Sequence, residues 1–163
     1  MPDLNSEITT TLKKLEVIQR HIKNVEDACM LLGRRLIEKG EIEFGVQLIV
    51  LGRIHDLSKF DRFEREYLIG NENKDTLKLA ISKHQAANKH HIEFWDDVDN
   101  MPRIFIAEMA CDLFARSAEK GSDLWVYIKD TLVPHYNIST SGKFYKTLKE
   151  FVDLLLDKSF VKL

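Results

Sequence analysis

Cysteine, proline and glycine are scarce in this sequence, and each shortage excludes a class of protein. Only two cysteines occur among its 163 residues, Cys29 and Cys111, and they lie outside any Cys-x-x-Cys spacing. That number excludes a disulfide framework and favours a reducing compartment, the cytoplasm. The three prolines and seven glycines form no Asn-Gly or Asp-Gly pair, so the strongest short signal of a β-hairpin is missing.

Long apolar runs and an excess of one charge are missing as well. The longest apolar runs, such as Ala28–Leu32, are far too short to span a membrane, and the N-terminal stretch is too polar for a secretory signal. The 24 basic and 26 acidic residues give a net charge of −2, which favours neither nucleic acid nor an anionic membrane as a partner. With 44% apolar and 31% charged residues, we expect one soluble domain over 1–163.

Helical periodicity is the main structural signal in the first third of the chain. Apolar residues recur there at steps of three and four, with Asn5 or Ser6 as the expected N-cap of the first helix. Gly40 is the expected stop of the second helix. The three predicted helical segments are 8–25, 25–39 and 42–55.

The middle of the chain predicts further helices. A short, charged segment covers 60–69, and Asp75 is the expected cap of the helix that follows it. Pro102 is placed as the first residue of another helix, which continues to about residue 120, because a proline is tolerated where the backbone N–H is unpaired.

The C-terminal part of the sequence predicts two further helices. Ser122 or Asp123 is expected to open a helix that ends before Pro134. An amphipathic packing helix is expected over about 143–157. The predicted fold class is therefore all-α, a single-domain bundle of roughly seven helices.

The six histidines are unevenly distributed. Three of them lie within 84–91, and a fourth directly precedes Asp56. Imidazole and carboxylate are common ligands of zinc, iron and manganese, so this grouping suggests a metal site. On a regular helix, His84, Asn88 and His91 would lie within about 60° of one another. His90 would join them only if the helix ended or became distorted there.

Two other segments carry residues of the same kind. If the His-Asp segment is helical, His55 and Lys59 share a face, and Asp56 lies about 100° round, where it could bridge to a second metal. Asp112 lies in a largely apolar helix, where a carboxylate needs a partner or a cation. Glu108 is spaced one turn before it and can support a ligand.

Each of these residues also has an ordinary structural explanation. His21 can be a flanking residue of an amphipathic helix, and Asn88 can cap a helix that ends in polar histidines. Asp112 can form an i, i+4 ion pair with Arg116. Similarly, Trp95 is interpreted as a core residue, and Glu93 and His135 as surface residues. The metal interpretation rests on the ordered set and not on any single residue.

In order, the chain has His21, His55-Asp56, His84, His90-His91 and Asp112. This set resembles the HD-domain superfamily of metal-dependent phosphohydrolases, whose signature is a histidine, an adjacent His-Asp and a distal aspartate carried on helices. Lys59 and the extra histidines resemble its two-metal members, although the Gly-Tyr-Pro of the cyclic-dinucleotide phosphodiesterases is absent after His91. The strings HDLSKF and HQAANKHHIEFW look closer still to an uncharacterised family of small HD-like proteins.

The resemblance, which covers 21–112, implies one or two divalent transition-metal ions: zinc, manganese, iron, or nickel or cobalt as substitutes. The implied ligands of the first metal are His21, His55, Asp56 and Asp112. Asp56 would bridge to a second metal, held by His84, His91 and, as a further candidate, His90. Asp56 and Lys59 are the implied catalytic residues. The supporting or pocket candidates are Asn88, Glu93, Glu108 and Arg53.

The function predicted from this resemblance is hydrolysis of a phosphate ester, of a nucleotide or a similar small molecule, by a metal-activated water. Two alternatives stay open: a di-iron oxygenase of the HD type, and a non-catalytic binding or regulatory module whose metal only staples helices together. The expected partner is a small phosphorylated molecule. A membrane is excluded, nucleic acid is disfavoured and oligomerisation is left open.

Overall fold

Every regular element is helical in the computed structural model of the chain, which describes residues 4–61, 64–65 and 73–159. No strand occurs in these ranges, and the helices pack as one domain around a shared core, which confirms the all-α prediction. The α-helices whose bounds lie within the described ranges are α1 (Leu4–Glu38), α2 (Ile42–Ile54), α3 (Lys74–Ala87), α4 (Arg103–Lys120), α5 (Leu124–Tyr127), α6 (Val133–His135) and α7 (Lys143–Leu156).

Helix α1 replaces the first two predicted helices. The helical period continues through Val25 with no proline or glycine to interrupt it, so the two predicted segments form one helix of 35 residues. Asn5 and Ser6 lie inside this helix and do not cap it, which makes the predicted N-cap wrong. The predicted stop is confirmed: Gly40 has φ +92°, a conformation that glycine adopts without strain.

Glycines bring α2 unusually close to α1. A Cβ atom added at Gly45 would lie 2.5 Å from the backbone oxygen of Gly33. A Cβ atom added at Gly52 would lie 2.5 Å from the Cβ atom of Cys29. This contact determines where α2 ends relative to α1, and it places His55, directly after α2, beside His21 on α1, with ring centroids 6.0 Å apart.

We expect Gly45→Ala to destabilise the protein. Alanine favours a helix over glycine by about 1 kcal/mol, so a net loss must come from the clash with Gly33. Overpacking at a backbone contact costs about 1–3 kcal/mol, which urea unfolding can measure. Gln47→Ala, on the exposed face of the same helix, is the control and should change stability by less than about 0.5 kcal/mol. If Gly45→Ala instead stabilised the protein by the full helix-propensity gain of about 1 kcal/mol, the close approach would have no energetic role.

Helices α1, α4 and α7 supply most of the core. Fully buried apolar side chains come from all three, among them Leu32, Ile106 and Phe151. Helices α1 and α4 run antiparallel, because His21 contacts Glu119 near the end of α4, while Cys29, further along α1, contacts Cys111. The functional side chains of these two helices therefore meet at one level of the bundle.

The helix boundaries test the predicted caps. Asp123 caps α5 by accepting a hydrogen bond from the Val126 N–H at 2.9 Å, which confirms one of the two predicted residues. The cap of α3 is Asn73, whose side chain accepts from the N–H of Asp75, so Asp75 itself is not the cap. Helix α4 begins at Arg103, one residue after the predicted start at Pro102. The predicted C-terminal helix is confirmed as α7.

The predicted stop before Pro134 is wrong. A π-helical turn over Ile128–Leu132 follows α5, and α6 then continues through Pro134. Pro134 is the second residue of α6, which directly follows the wider π-helical turn, so the chain bends there without ending the helix.

Of the charged segment predicted over 60–69, residues 62–63 and 66–69 lie outside the described ranges. Within the described ranges, every helix is too short or too polar to cross a lipid bilayer.

Candidate metal centre

Seven side chains from separate parts of the chain converge in the interior, and they are the seven predicted ligands. Five of them are buried, with His55 only 1% and Asp56 4% exposed, while His91 and Asp112 are half-buried. Together they form what we call the histidine–aspartate cluster: His21, His55, Asp56, His84, His90, His91 and Asp112.

The turn after α2 positions His55 and Asp56. Helix α2 ends at Ile54, so the prediction that His55 and Lys59 share a helical face is wrong. Instead, Asp56 adopts a left-handed conformation, with φ 56° and ψ 17°, before a 3-10 turn over Leu57–Phe60. This conformation is uncommon for a residue other than glycine and often marks a functional position. It aims both side chains inward, and the Lys59 ammonium contacts Asp56.

The end of α3 positions the other three histidines. The helix ends at Ala87, and the Asn88 amide caps it by donating a hydrogen bond to the His84 carbonyl oxygen at 2.7 Å. His84 and His91 therefore do not share a helical face as predicted, but the following turn still brings their ring centroids within 5.0 Å. His90 joins the cluster because the helix ends, which is the condition under which the sequence predicted it to do so.

The cluster contains two groups of ligand atoms that share Asp56. In one group, ligand atoms of Asp56, His84, His90 and His91 lie within 4.8 Å of one another. In the other, those of His21, His55 and Asp56 do the same. Asp112 extends the second group, since its Oδ1 lies 3.0 Å from the His21 Nε2. Asp56 is the residue that both groups share, so it would be a ligand of a cation held by either group.

Among the described residues, the inward-facing atoms of the cluster have no hydrogen-bond partner. These atoms are the Nε2 nitrogens of all five histidines and one carboxylate oxygen each of Asp56 and Asp112. Pairs such as His21 Nε2 and Asp112 Oδ1 are close but lack hydrogen-bond geometry. An unsatisfied buried polar atom costs about 1–3 kcal/mol, so seven such atoms close together favour a site for a shared ligand. Imidazole nitrogens and carboxylate oxygens are suitable donors for a divalent transition metal.

Carboxylates on the outside of the cluster hold the histidine rings in place. The Nδ1 atom of His21 lies 3.0 Å from Glu119, that of His55 lies 3.0 Å from Glu108, and that of His84 lies 2.8 Å from Glu64. A carboxylate on Nδ1 fixes the tautomer that leaves Nε2 free to bind a metal, an arrangement typical of metal-binding histidines.

Two of these supporting carboxylates were missed by the sequence analysis. Glu119 lies seven residues after Asp112, two turns along the same face of α4, and that spacing could have identified it. Glu64 follows Asp56 by eight residues in a segment without regular periodicity, so no comparable signal pointed to it. Glu108 was predicted as a supporting residue, and the structure places it against His55.

The carboxylates of the cluster favour a positive charge on His55 but not on His91. Burial would lower the pKa of His55, but contacts with the Asp56 and Glu108 carboxylates outweigh burial and raise it to about 10. Burial would raise the pKa of Asp56 and Asp112, yet neighbouring histidines hold both below their usual range. Burial, followed by the charge of His90, lowers the pKa of His91 to about 3, which keeps this imidazole neutral and able to bind a metal.

Two of the remaining supporting or pocket candidates lie outside the cluster, and one of them lines the cavity that adjoins it. Arg53 is on the surface, with its Nε 3.0 Å from Glu26, so the structure does not bring it to the cluster. Glu93 is exposed on the wall of the adjoining cavity, where it accepts a hydrogen bond from the Tyr136 hydroxyl.

Trp95 was interpreted as a core residue and His135 as a surface residue, and the structure agrees with both interpretations. Trp95 packs against the core and donates a hydrogen bond from Nε1 to the Lys89 carbonyl oxygen at 2.9 Å. His135 is exposed beside Tyr136.

A cavity of about 690 Å³ opens onto the cluster. Asp56, His84, His91 and Asp112 lie at its inner end, together with Lys59. Its walls combine apolar side chains with cationic ones from α1 and α4. The cluster is therefore reachable by a small molecule, unlike a structural metal site, which is closed by its ligands.

We expect Glu108→Gln to weaken metal binding. The Glu108 Oε1 lies 3.0 Å from His55 Nδ1 and 3.5 Å from His90 Nδ1, so its charge supports one histidine of each group. Losing a carboxylate behind metal-binding histidines reduces metal affinity by about 10–100-fold. Competition with a chromophoric chelator measures this affinity. Glu43→Gln, on the exposed face of α2, is the control, and an unchanged affinity in Glu108→Gln would exclude the supporting role.

The fold and the cluster together define an all-α protein with a candidate metal centre. The chain belongs to the family described as DUF5662, a family of unknown function, which matches its residues 10–155. No curated protein and no solved structure matches the chain.

Proposed function

We propose that this protein is a metal-dependent phosphohydrolase of the HD type that acts on a phosphate ester of a nucleotide or similar small molecule. The observation that carries the proposal is the set of seven partnerless buried donor atoms beside an open cavity. A site built only for stability would have no reason to adjoin a cavity of this size. The two free cysteines agree with a cytoplasmic location, which is part of the proposal.

The donor set fits two divalent transition-metal ions that share Asp56. When bound, such ions lower the pKa of a coordinated water towards neutrality and stabilise charge on a phosphoryl oxygen. The side chains of the chain then have defined tasks. Asp56 holds both positions together, and the carboxylates on the outside keep the histidine rings oriented.

Lys59 is the second residue with a proposed role in the reaction. Its ammonium contacts Asp56 and also lies on the cavity wall, with 12% of its side chain exposed. From this position it can bind a phosphoryl oxygen or give a proton to the leaving group. No side chain has to act as a nucleophile.

A di-iron oxygenase is the second candidate function. The specific observation in its favour is the imidazole-rich donor set, in which five of the seven partnerless atoms are histidine nitrogens. Imidazole suits iron as well as zinc, so the ligands alone do not choose between the two reactions.

The decisive experiment starts from protein purified without oxygen, whose metals are counted by elemental analysis. Aliquots reconstituted with zinc, manganese or iron are assayed for phosphate release from a panel of nucleotides and sugar phosphates. The proposal expects release that needs metal, tolerates oxygen and falls in Lys59→Ala but not in Lys78→Ala, a change on the exposed surface of α3. Absence of release with every metal, combined with iron-dependent oxygen uptake, would replace the hydrolase with the oxygenase.

A further inference from the structure

The outer half of the cavity carries positive charge that the proposed chemistry does not use. Three lysines line it, two from α1 and one from α4, and we call them the outer cationic cluster: Lys13, Lys14 and Lys120. They are distinct from Lys59, which lies at the inner end beside Asp56.

The outer cationic cluster is poorly neutralised by the protein. Within the described ranges, Lys13, Lys14 and Lys120 make no hydrogen bond or ion pair. Arg116 also lines the cavity but does not belong to this cluster, because it lies beside the metal centre, 3.8 Å from Asp112 and 3.7 Å from Glu119. Glu93, an acidic residue on the cavity wall, already accepts a hydrogen bond from Tyr136. Like charges that share a cavity repel one another, so an anion bound among them would lower the electrostatic energy.

The geometry of the two helices places this cluster at a defined distance from the metal centre. Lys14 precedes His21 by seven residues on α1, and Lys120 follows Asp112 by eight residues on α4. At 1.5 Å per residue, both lysines are on the order of 10 Å along the helix from the ligand on their own helix. Because α1 and α4 are antiparallel, the lysines of both helices lie in the same direction from the metal centre.

The wall between the two charged regions is apolar. Val17 and Ile18 lie between Lys14 and His21 along α1, Leu113 lies between Asp112 and Lys120 along α4, and all three line the cavity. A ligand that fills the cavity would therefore present an anionic group at each end and a less polar segment between them.

We infer that the outer cationic cluster is a second anion-binding subsite, and that the substrate is a small molecule with a second phosphate group on the order of 10 Å from the one at the metal centre. This inference rests on the proposed function in one respect, that the inner group is a phosphoryl group. The outer cluster binds the distant phosphate and thereby selects substrates with two separated phosphates over simple monophosphates.

Phosphonates test the subsite without any turnover, because their carbon–phosphorus bond replaces the ester. The two probes are octylphosphonate and octanediyl bisphosphonate, which share an eight-carbon chain and differ only in the second anionic end. Calorimetric titration of the metal-loaded protein measures both affinities. We expect the bisphosphonate to bind at least about tenfold more tightly, and we expect this preference to shrink as salt is added.

Lysine-to-glutamine variants test whether the outer cationic cluster binds the second anionic group. The double variant Lys14→Gln/Lys120→Gln should lose the preference for the bisphosphonate and keep the affinity for octylphosphonate and the metal content of the wild type. The matched control, Lys78→Gln/Lys146→Gln, removes two exposed lysines that do not line the cavity and should keep the preference. Equal binding of the two probes by the wild type, or an equal loss of both in the first variant, would overturn the inference.

These outcomes are independent of the outcome for the hydrolase. Binding preference without phosphate release from any ester would leave the subsite in place and remove the proposed reaction. Phosphate release from monophosphates, with no preference between the two phosphonates, would retain the reaction and remove the subsite.

Discussion

Asp56→Asn is expected to reduce phosphate release by about 10³-fold or more, equivalent to about 4 kcal/mol of transition-state stabilisation. Asp56 is shared by both groups of ligand atoms, and its carboxylate lies 3.0 Å from His84 Nε2 and 3.4 Å from His55 Nε2. Asparagine keeps the size of the side chain and tolerates the left-handed backbone, so the turn should be preserved. It lacks the charge and the second oxygen that bridging requires.

Three measurements separate loss of the site from loss of the fold. Elemental analysis should show at least one metal ion fewer per chain, phosphate release should be lost, and circular dichroism should show unchanged helix content. Asp130→Asn, at an exposed position of the π-helical turn, is the matched control and should leave all three unchanged. Wild-type turnover in Asp56→Asn would remove Asp56 from the mechanism.

Removal of metal is expected to lower the melting temperature by about 10 °C. A ligand that binds only the folded state at 1,000 times its dissociation constant stabilises that state by about 4 kcal/mol. For a domain of this size, each kcal/mol corresponds to about 2–4 °C. The structural reason is the set of seven buried donor atoms, which lose their common partner when a chelator takes the metal.

Differential scanning calorimetry with and without a chelator measures this shift, and adding the metal back should restore the melting temperature. Asp56→Asn should shift less on chelation than the wild type, because it binds less metal from the start. A melting temperature that does not respond to chelation, in protein shown to contain metal beforehand, would contradict the prediction. Complete unfolding on chelation, with no activity on any ester, would favour the non-catalytic module.

The sequence predicted helices well where the apolar period agrees with residues that start or end a helix. Helix α4 lies between Pro102 and Gly121, and α7 carries an uninterrupted apolar face, so both were located to within one or two residues. The sequence did not reveal that the helix continues through Val25, because two consecutive amphipathic helices and one long helix have the same apolar period. The predicted helix end before Pro134 was wrong because a π-helical turn precedes this proline, and such a turn has no recognisable residue pattern.

The candidate site was located through residue type and not through geometry. All seven predicted ligands meet, yet both arguments from helical faces were wrong, since α2 ends before His55 and α3 ends before Asn88. The chain turns that replace these helices depend on a left-handed Asp56 and on a side-chain cap, which periodicity cannot reveal. Arg53 was misplaced for a related reason: proximity along the chain to His55 did not make it a neighbour in space.

Helix α1 is one unbroken rod that carries both His21 and, two turns earlier, Lys14. A rod of this kind cannot stretch or shorten as a loop can, so the spacing between the inner and outer ends of the cavity is fixed by helical rise. The protein would then select its ligands by the distance between their two anionic groups. Molecules too short to reach both ends would gain nothing from their second charge, however strongly charged they are.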